Sequence, residues 1–291
     1  MSWLQLTLTA KRDEVEAINA QCDLMGALCV TLKDHGDEPL FCAELGDQPL
    51  WQATDIVALF DEDHDIKAAM DFFESQEAVT HCVFEKLEDQ DWVRASLDRF
   101  QPIQFADNFW VCPSWSDVPD PAARNLMLDP GLAFGTGTHE TTGLCLQYLA
   151  ELDLSDKFVI DYGCGSGILG LSALVLGAGE VWAIDNDPQA VLASEANLLL
   201  NPDINQNFNV GLPEDMPARE ADIVVANILA APLISLAPTI EKLSKPGGLL
   251  FLSGILSSQV ESVREAYEQY FYFQSVRYDS GWILCSLQKK G

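Results

Sequence analysis

The chain has 291 residues, 48% hydrophobic and 21% charged, enough for a substantial core and long enough for two ordinary domains. Its 45 acids against 16 bases leave a net charge of −29, a field that repels nucleic-acid phosphates and draws basic partners, besides keeping a protein in solution. No apolar stretch approaches the ~20 residues of a membrane span. The first residues lack a basic segment followed by an apolar run, and none of the eight cysteines is spaced as C-x-x-C. A secretory leader, a membrane anchor and a zinc or redox motif are therefore not expected, and most of the cysteines read as buried small hydrophobes of a reducing cytoplasm.

Leu4, Leu6 and Leu8 alternate with Gln5, Thr7 and Thr9, the pattern of a half-buried strand. Val15, Ile18, Cys22 and Met25 follow at helical spacing as far as Gly26, and Ala27–Leu32 predicts a second strand. Beyond the polar loop Asp34–Pro39, Ile56–Phe60 predicts a third strand, Ile66, Met70 and Phe73 mark one helix face, and Val79–Phe84 predicts a last strand. The order β-α-β, β-α-β predicts a small α+β, ferredoxin-like domain over residues 1–88. That segment holds 19 acids and 5 bases, net −14, against 26 and 11, net −15, in the much longer remainder, so its acidity is the denser. Trp92, Val93, Leu97 and Phe100 share a helix face that Pro102 ends, which predicts a linker helix over 89–101.

From residue 102 the pattern changes. Phe105–Cys112 predicts a strand before a Pro-rich loop, and Phe158–Asp161, Val181–Ile184, Phe208–Val210, Ile223–Ala226, Leu249–Leu252, Phe271–Val276 and Ile283–Leu287 predict seven more. Helices are expected around Ile168–Leu176, Pro188–Leu200, Ala230–Leu243 and Ser257–Tyr270, and only Arg277–Gly281 joins the last two strands. Alternating β/α units that end in a hairpin imply a Rossmann-like, seven-stranded sheet, parallel except for one strand, over 102–291.

The stretch Val159-Ile160-Asp161-Tyr162-Gly163-Cys164-Gly165-Ser166-Gly167 carries the most chemistry. An apolar run ends in an acid and three alternating glycines follow, a buried strand turning into a helix with backbone bare enough for a nucleotide-like ligand. A pyrophosphate wants N–H donors there rather than a carboxylate. S-adenosylmethionine carries an ammonium and a sulfonium, which Asp161 suits, so Asp161, Gly163, Gly165 and Gly167 are candidate cofactor residues. Gly165–Gly170 also matches G-x-G-x-x-G, and Asp185, at a strand end, suits the ribose hydroxyls; both features describe an NAD site equally well.

The run Asp222–Leu229 reads as a buried strand ending in Asn227, where the cofactor's methyl group is expected. Its amide offers a neutral acceptor to an incoming amine, or caps the next helix. No aromatic follows to stack on a base, which disfavours a nucleobase substrate. Leu128–Thr142 is a glycine- and threonine-rich loop before a helix, too polar to be core, whose backbone and hydroxyls suit closure over a ligand. Within it His139 either orders the loop or accepts a proton.

Together, Asp129–Thr142, the Asp161–Gly167 loop and Asn227-Ile228-Leu229-Ala230, with Trp92, Phe100-Gln101-Pro102 and Cys112-Pro113-Ser114-Trp115, resemble the PrmA family of ribosomal protein L11 methyltransferases over the whole length. The resemblance implies a substrate-recognition domain, a flexible linker and a class I methyltransferase domain at the boundaries above. It implies methyl transfer from S-adenosyl-L-methionine to α-amino and lysine ε-amino groups of L11, free or on the ribosome, in the cytoplasm. Metal, membrane and a direct nucleic-acid substrate are not implied. Carried onto this chain, the cofactor positions are Thr142, Gly163, Asp185 and Asn227. Glu140 departs from the pattern, standing where a proline is frequent. The alternatives are methyl transfer to another basic protein or to RNA, an NAD-dependent oxidoreductase, which Asp161, Asn227 and the terminal hairpin disfavour, and an acidic binding module on an inactive fold, which the intact glycine loop disfavours.

Overall fold

The computed structural model describes residues 3–36, 50–87, 100–130, 135, 137–216 and 218–291. The linker helix expected over 89–101, Trp92 included, lies outside them but for Phe100 and Gln101. The chain divides into two compact units, Met1–Leu97 and Asp98–Gly291.

In the first unit, β1 (Trp3–Lys11), α1 (Val15–Leu24), β2 (Cys29–Asp34), β3 (Ala53–Asp61), α2 (Ile66–Glu74) and β4 (Val79–Leu87) follow in order. The sheet runs β2-β3-β1-β4 with antiparallel neighbours, the connectivity of two interleaved split β-α-β units. Leu6 pairs with Ala58 on one side and Phe84 on the other, so the alternating apolar residues of three strands share a face. There Leu6, Leu8, Ile56 and Phe60 pack with Ile18 and Cys22 of α1 and Phe73 of α2, all fully buried. Among the described residues five cysteines are buried as expected, Cys22, Cys112, Cys145, Cys164 and Cys285, whereas Cys29 is exposed because β2 turns it away from this core.

The second unit begins with a small sheet, β5 (Ile103–Ala106), β6 (Phe109–Cys112) and β7 (Arg124–Met127), in that spatial order. The single strand expected over Phe105–Cys112 is thus a hairpin broken at Asp107-Asn108. Its two halves are four residues each, too short for alternation to betray the turn. After α3 (Glu140–Ala150) come β8 (Phe158–Tyr162), α4 (Ile168–Val175), β9 (Glu180–Ile184), α5 (Pro188–Leu199), β10 (Phe208–Gly211), β11 (Ala221–Asn227), α6 (Ala230–Leu243), β12 (Ser244–Leu256), α7 (Val260–Tyr267), β13 (Phe271–Asp279) and β14 (Trp282–Lys289). The large sheet is ordered β10-β9-β8-β11-β12-β14-β13, with β14 antiparallel to both neighbours and the other pairs parallel.

Helices cover both faces, so the central strands are apolar throughout rather than alternating. Val159, Val181, Val225 and Phe251 point to the face of α3 and α4; Ile160, Val224, Leu250 and Leu252 point to that of α6 and α7. Strand β12 extends the expected Leu249–Leu252 at both ends, and its pairing with β11 is interrupted between Ser244 and Leu249, where Gly247 has a φ of +76°. The last helix is shorter than the expected Ser257–Tyr270, because Ser257–Gln259 forms a 3₁₀ turn. Tyr267 of α7 is fully buried and donates its hydroxyl to the Leu233 carbonyl of α6 at 2.8 Å. Tyr267→Phe keeps the packing and loses that bond, so urea denaturation should show a loss of about 1 kcal/mol with an unchanged m-value.

Candidate active site

A cleft of about 420 Å³ opens at the carboxyl ends of the parallel strands, within the size range of ligand sites. The strand order sets its residues in a row. Asp185 follows β9, Gly163 and Gly165 follow β8, Asn227 ends β11, Gly254 lies near the end of β12 and Trp282 begins β14.

The glycine loop runs from β8 into α4. The Gly165 N–H donates to Asp185 Oδ2 at 2.9 Å, and the Asp187 N–H to Asp185 Oδ1 at 3.0 Å. Each carboxylate oxygen thus spends one acceptor site on the backbone and keeps a second. Gly163 and Gly165 line the cleft. Gly167 does not: it is the N-cap of α4, and a Cβ there would press on Ser194 of α5, so its smallness serves helix packing.

Asp161 lies beneath the loop rather than in the cleft. It is 1% exposed, its Oδ2 accepts from the Gly170 N–H at 2.8 Å, and its Oδ1 has no partner among the described residues. Direct contact with a ligand, the role its charge suggested, is therefore replaced by a position behind the glycines. Burial pushes its carboxyl up to about 7, against the Gly170 bond that lowers it, and Asp185 nearby raises it further.

Asn227 is half-buried at the cleft wall. It is not a helix cap, since Leu229 takes that place before α6. Its Nδ2 donates to Thr142 Oγ1 at 3.3 Å, which leaves Oδ1 buried without a partner among the described residues. Thr141 and Thr142 are buried in the first turn of α3, a correction to a stretch too polar to be core: helix geometry turns them inward. His139 caps that helix, with Nδ1 accepting from the Thr141 N–H at 3.3 Å. The same nitrogen lies 2.8 Å from Thr141 Oγ1, which ties the ring to the first turn of α3. Glu140 Oε2 lies 3.7 Å from the same nitrogen. Burial pushes the Cys145 and Cys164 thiols well up, the former to about 12, which disfavours a thiolate at either.

Leu229, Gly254 and Trp282 also line the cleft and escape sequence reasoning. Gly254, isolated in an apolar strand, carried a usable signal of close backbone approach; Trp282 reads simply as the first residue after a turn. Among the described residues no cluster of His, Cys, Asp or Glu is placed to hold a metal ion, and no helix is long and apolar enough to cross a membrane.

Residues 2–290 match the ribosomal protein L11 methyltransferase (PrmA) family. The chain belongs to that family. A ribosomal protein L11 methyltransferase of Shewanella frigidimarina is 47% identical over 287 residues, covering 97% of each chain. One of Vibrio cholerae is 48% identical over 297 residues, covering the whole of both. A solved ribosomal protein L11 methylase from Lactobacillus delbrueckii subsp. bulgaricus is 29% identical with a TM-score of 0.58, covering 66% of this chain and all of that one. The family is one of S-adenosylmethionine-dependent protein methyltransferases, and the residues present fit that donor: a glycine cradle, a carboxylate with acceptor sites to spare and an apolar cleft.

Asp161 yields a pH test. Its folded pKa is raised above that of the unfolded chain, so its contribution to stability is fully present below about 4 and is lost as pH rises through about 7. Asp161→Asn keeps the acceptor for Gly170 without the charge. Thermal melts without cofactor should show the variant gaining on wild type from pH 4 to 7 and levelling off above; a pH-independent difference would contradict the buried charge.

Proposed function

We propose that this chain moves methyl groups from S-adenosylmethionine to α-amino and lysine ε-amino groups of ribosomal protein L11, in the cytoplasm, with L11 free or on the ribosome and no direct nucleic-acid substrate. The observation that carries the reading is the buried, unpartnered Oδ1 of Asn227 in the cleft wall. An orphaned buried acceptor is costly unless a ligand supplies the donor. An amine N–H supplies it, and the bond turns the nitrogen lone pair toward the methyl group.

The reaction is a displacement: the amine nitrogen bonds the methyl carbon as the bond to sulfur breaks, and the amine's proton passes to water. The protein's part is placement at near-attack distance. Asp185 holds the ribose, Gly163 and Gly165 let the donor lie against the backbone, and Thr142 fixes Asn227. Asp161 acts through the loop, lending negative potential to a cationic donor.

The unit Met1–Leu97 serves as the recognition domain in this reading. Residues 1–88 carry a net −14, and a ribosomal protein is basic because it contacts RNA, so an acidic surface suits it. The test is incubation with methyl-labelled S-adenosylmethionine and L11 at rising salt, with labelled amines located by mass spectrometry. Label should appear on L11 amines, and the rate at low L11 concentration should fall as the Debye length shrinks from ~10 Å at 0.1 M. Label confined to RNA, or a salt-independent rate, would contradict the proposal.

A further inference from the structure

Beyond Asn227 the cleft continues over β12 and β14, two strand spacings or about 10 Å further along the sheet. Donor-binding groups lie on the other side, over β8 and β9. The extension is walled by Trp282 and by Leu229, which is 62% exposed at the rim. The Trp282 ring meets His139 edge-on, with centroids 5.1 Å apart. Gly254 forms its floor, where a Cβ would overlap the Ile228 carbonyl. Ser253 ties the Trp282 strand to the first turn of α3: its hydroxyl lies 3.0 Å from the Ile283 carbonyl, next to Trp282, and 3.3 Å from the Thr141 carbonyl, next to His139 and the capped turn.

We infer that this extension is a slot for the aliphatic stem of a substrate lysine and that Trp282 is its specificity-determining residue. The inference rests on the reading of the cleft as an amine methyltransferase site. A lysine amine arrives on an unbranched four-carbon stem, which matches an apolar passage. It also arrives charged, with an ordinary pKa near 10.4, and only its neutral form attacks. Apolar walls disfavour the ammonium and so favour release of its proton to water. An α-amine, with a pKa near 8, is already partly neutral at pH 7 and has no stem to sheathe. Trp282 therefore matters to lysines and little to the α-amine.

The test uses full-length enzyme, intact L11 and site-resolved mass spectrometry, comparing wild type with Trp282→Ala, Trp282→Phe and Leu229→Ala. In Trp282→Ala, lysine methylation should fall by about tenfold or more while α-amine methylation falls less than about threefold. Its calorimetric affinity for S-adenosylmethionine should stay within about twofold of wild type. The pH at half-maximal lysine methylation under single-turnover conditions should move up by about one unit, as a wetter slot returns lysine toward its ordinary pKa. Trp282→Phe should recover most of the lysine rate, and Leu229→Ala should share the selective loss if Trp282→Ala proves unfolded. Equal losses at both amine types, an unmoved pH profile, or a loss explained by weaker donor binding would overturn the inference. Absence of any methylation by the wild type would instead remove the underlying reading, and the slot with it.

Discussion

Ile228 sits between two glycines, and the geometry of the cleft depends on that squeeze. A Cβ on Gly163 would overlap the Ile228 Cγ2, and a Cβ on Gly254 would overlap the Ile228 carbonyl. Both glycines have φ of +80°, a left-handed conformation that costs other residues about 1 kcal/mol or more. The ends of β8, β11 and β12 thereby approach as closely as bare backbone allows. Asn227 and Leu229, on either side of Ile228, inherit their positions: one at the cleft wall with a buried amide oxygen, the other exposed at the rim.

Two carboxylates set the electrostatics around this pinch. Asp185 is tied to the backbone through both of its carboxylate oxygens, by the Gly165 and Asp187 N–H groups. Asp161 is buried behind the loop, with one oxygen satisfied by Gly170 and the other orphaned. Its carboxyl is held near neutrality chiefly by burial. A cation bound across the loop favours its ionised form. An anion at the same place disfavours that form.

The parts of the fold legible in the sequence were those with strong local signals. The Leu4–Leu6–Leu8 alternation marks β1 because one sheet face is buried, and the apolar run before Asp161 marks β8 because both are. The cleft positions Gly163, Gly165, Asp185 and Asn227 stood out because strand ends and turns impose residue types. What sequence did not reveal depends on contacts between distant segments. Trp282 joins the cleft only because β14 inserts antiparallel beside β12, 26 residues earlier. The burial of Thr141 and Thr142 depends on a helix that packs them inward, and the placement of Asp161 behind the glycines depends on its pairing with Gly170, a contact that local pattern does not specify.

The dependence of donor binding on the pinched Ile228 is tested most directly by a double-mutant cycle. Calorimetric affinities for S-adenosylmethionine would be measured for wild type, Gly163→Ala, Ile228→Ala and the pair. Gly163→Ala should weaken binding by about tenfold, roughly 1.4 kcal/mol. Ile228→Ala removes the Cγ2 that the new methyl meets, so the double variant should bind better than the two losses predict, by at least about 0.5 kcal/mol. Strictly additive losses would contradict the account, because they would mean that Gly163 and Ile228 do not constrain each other.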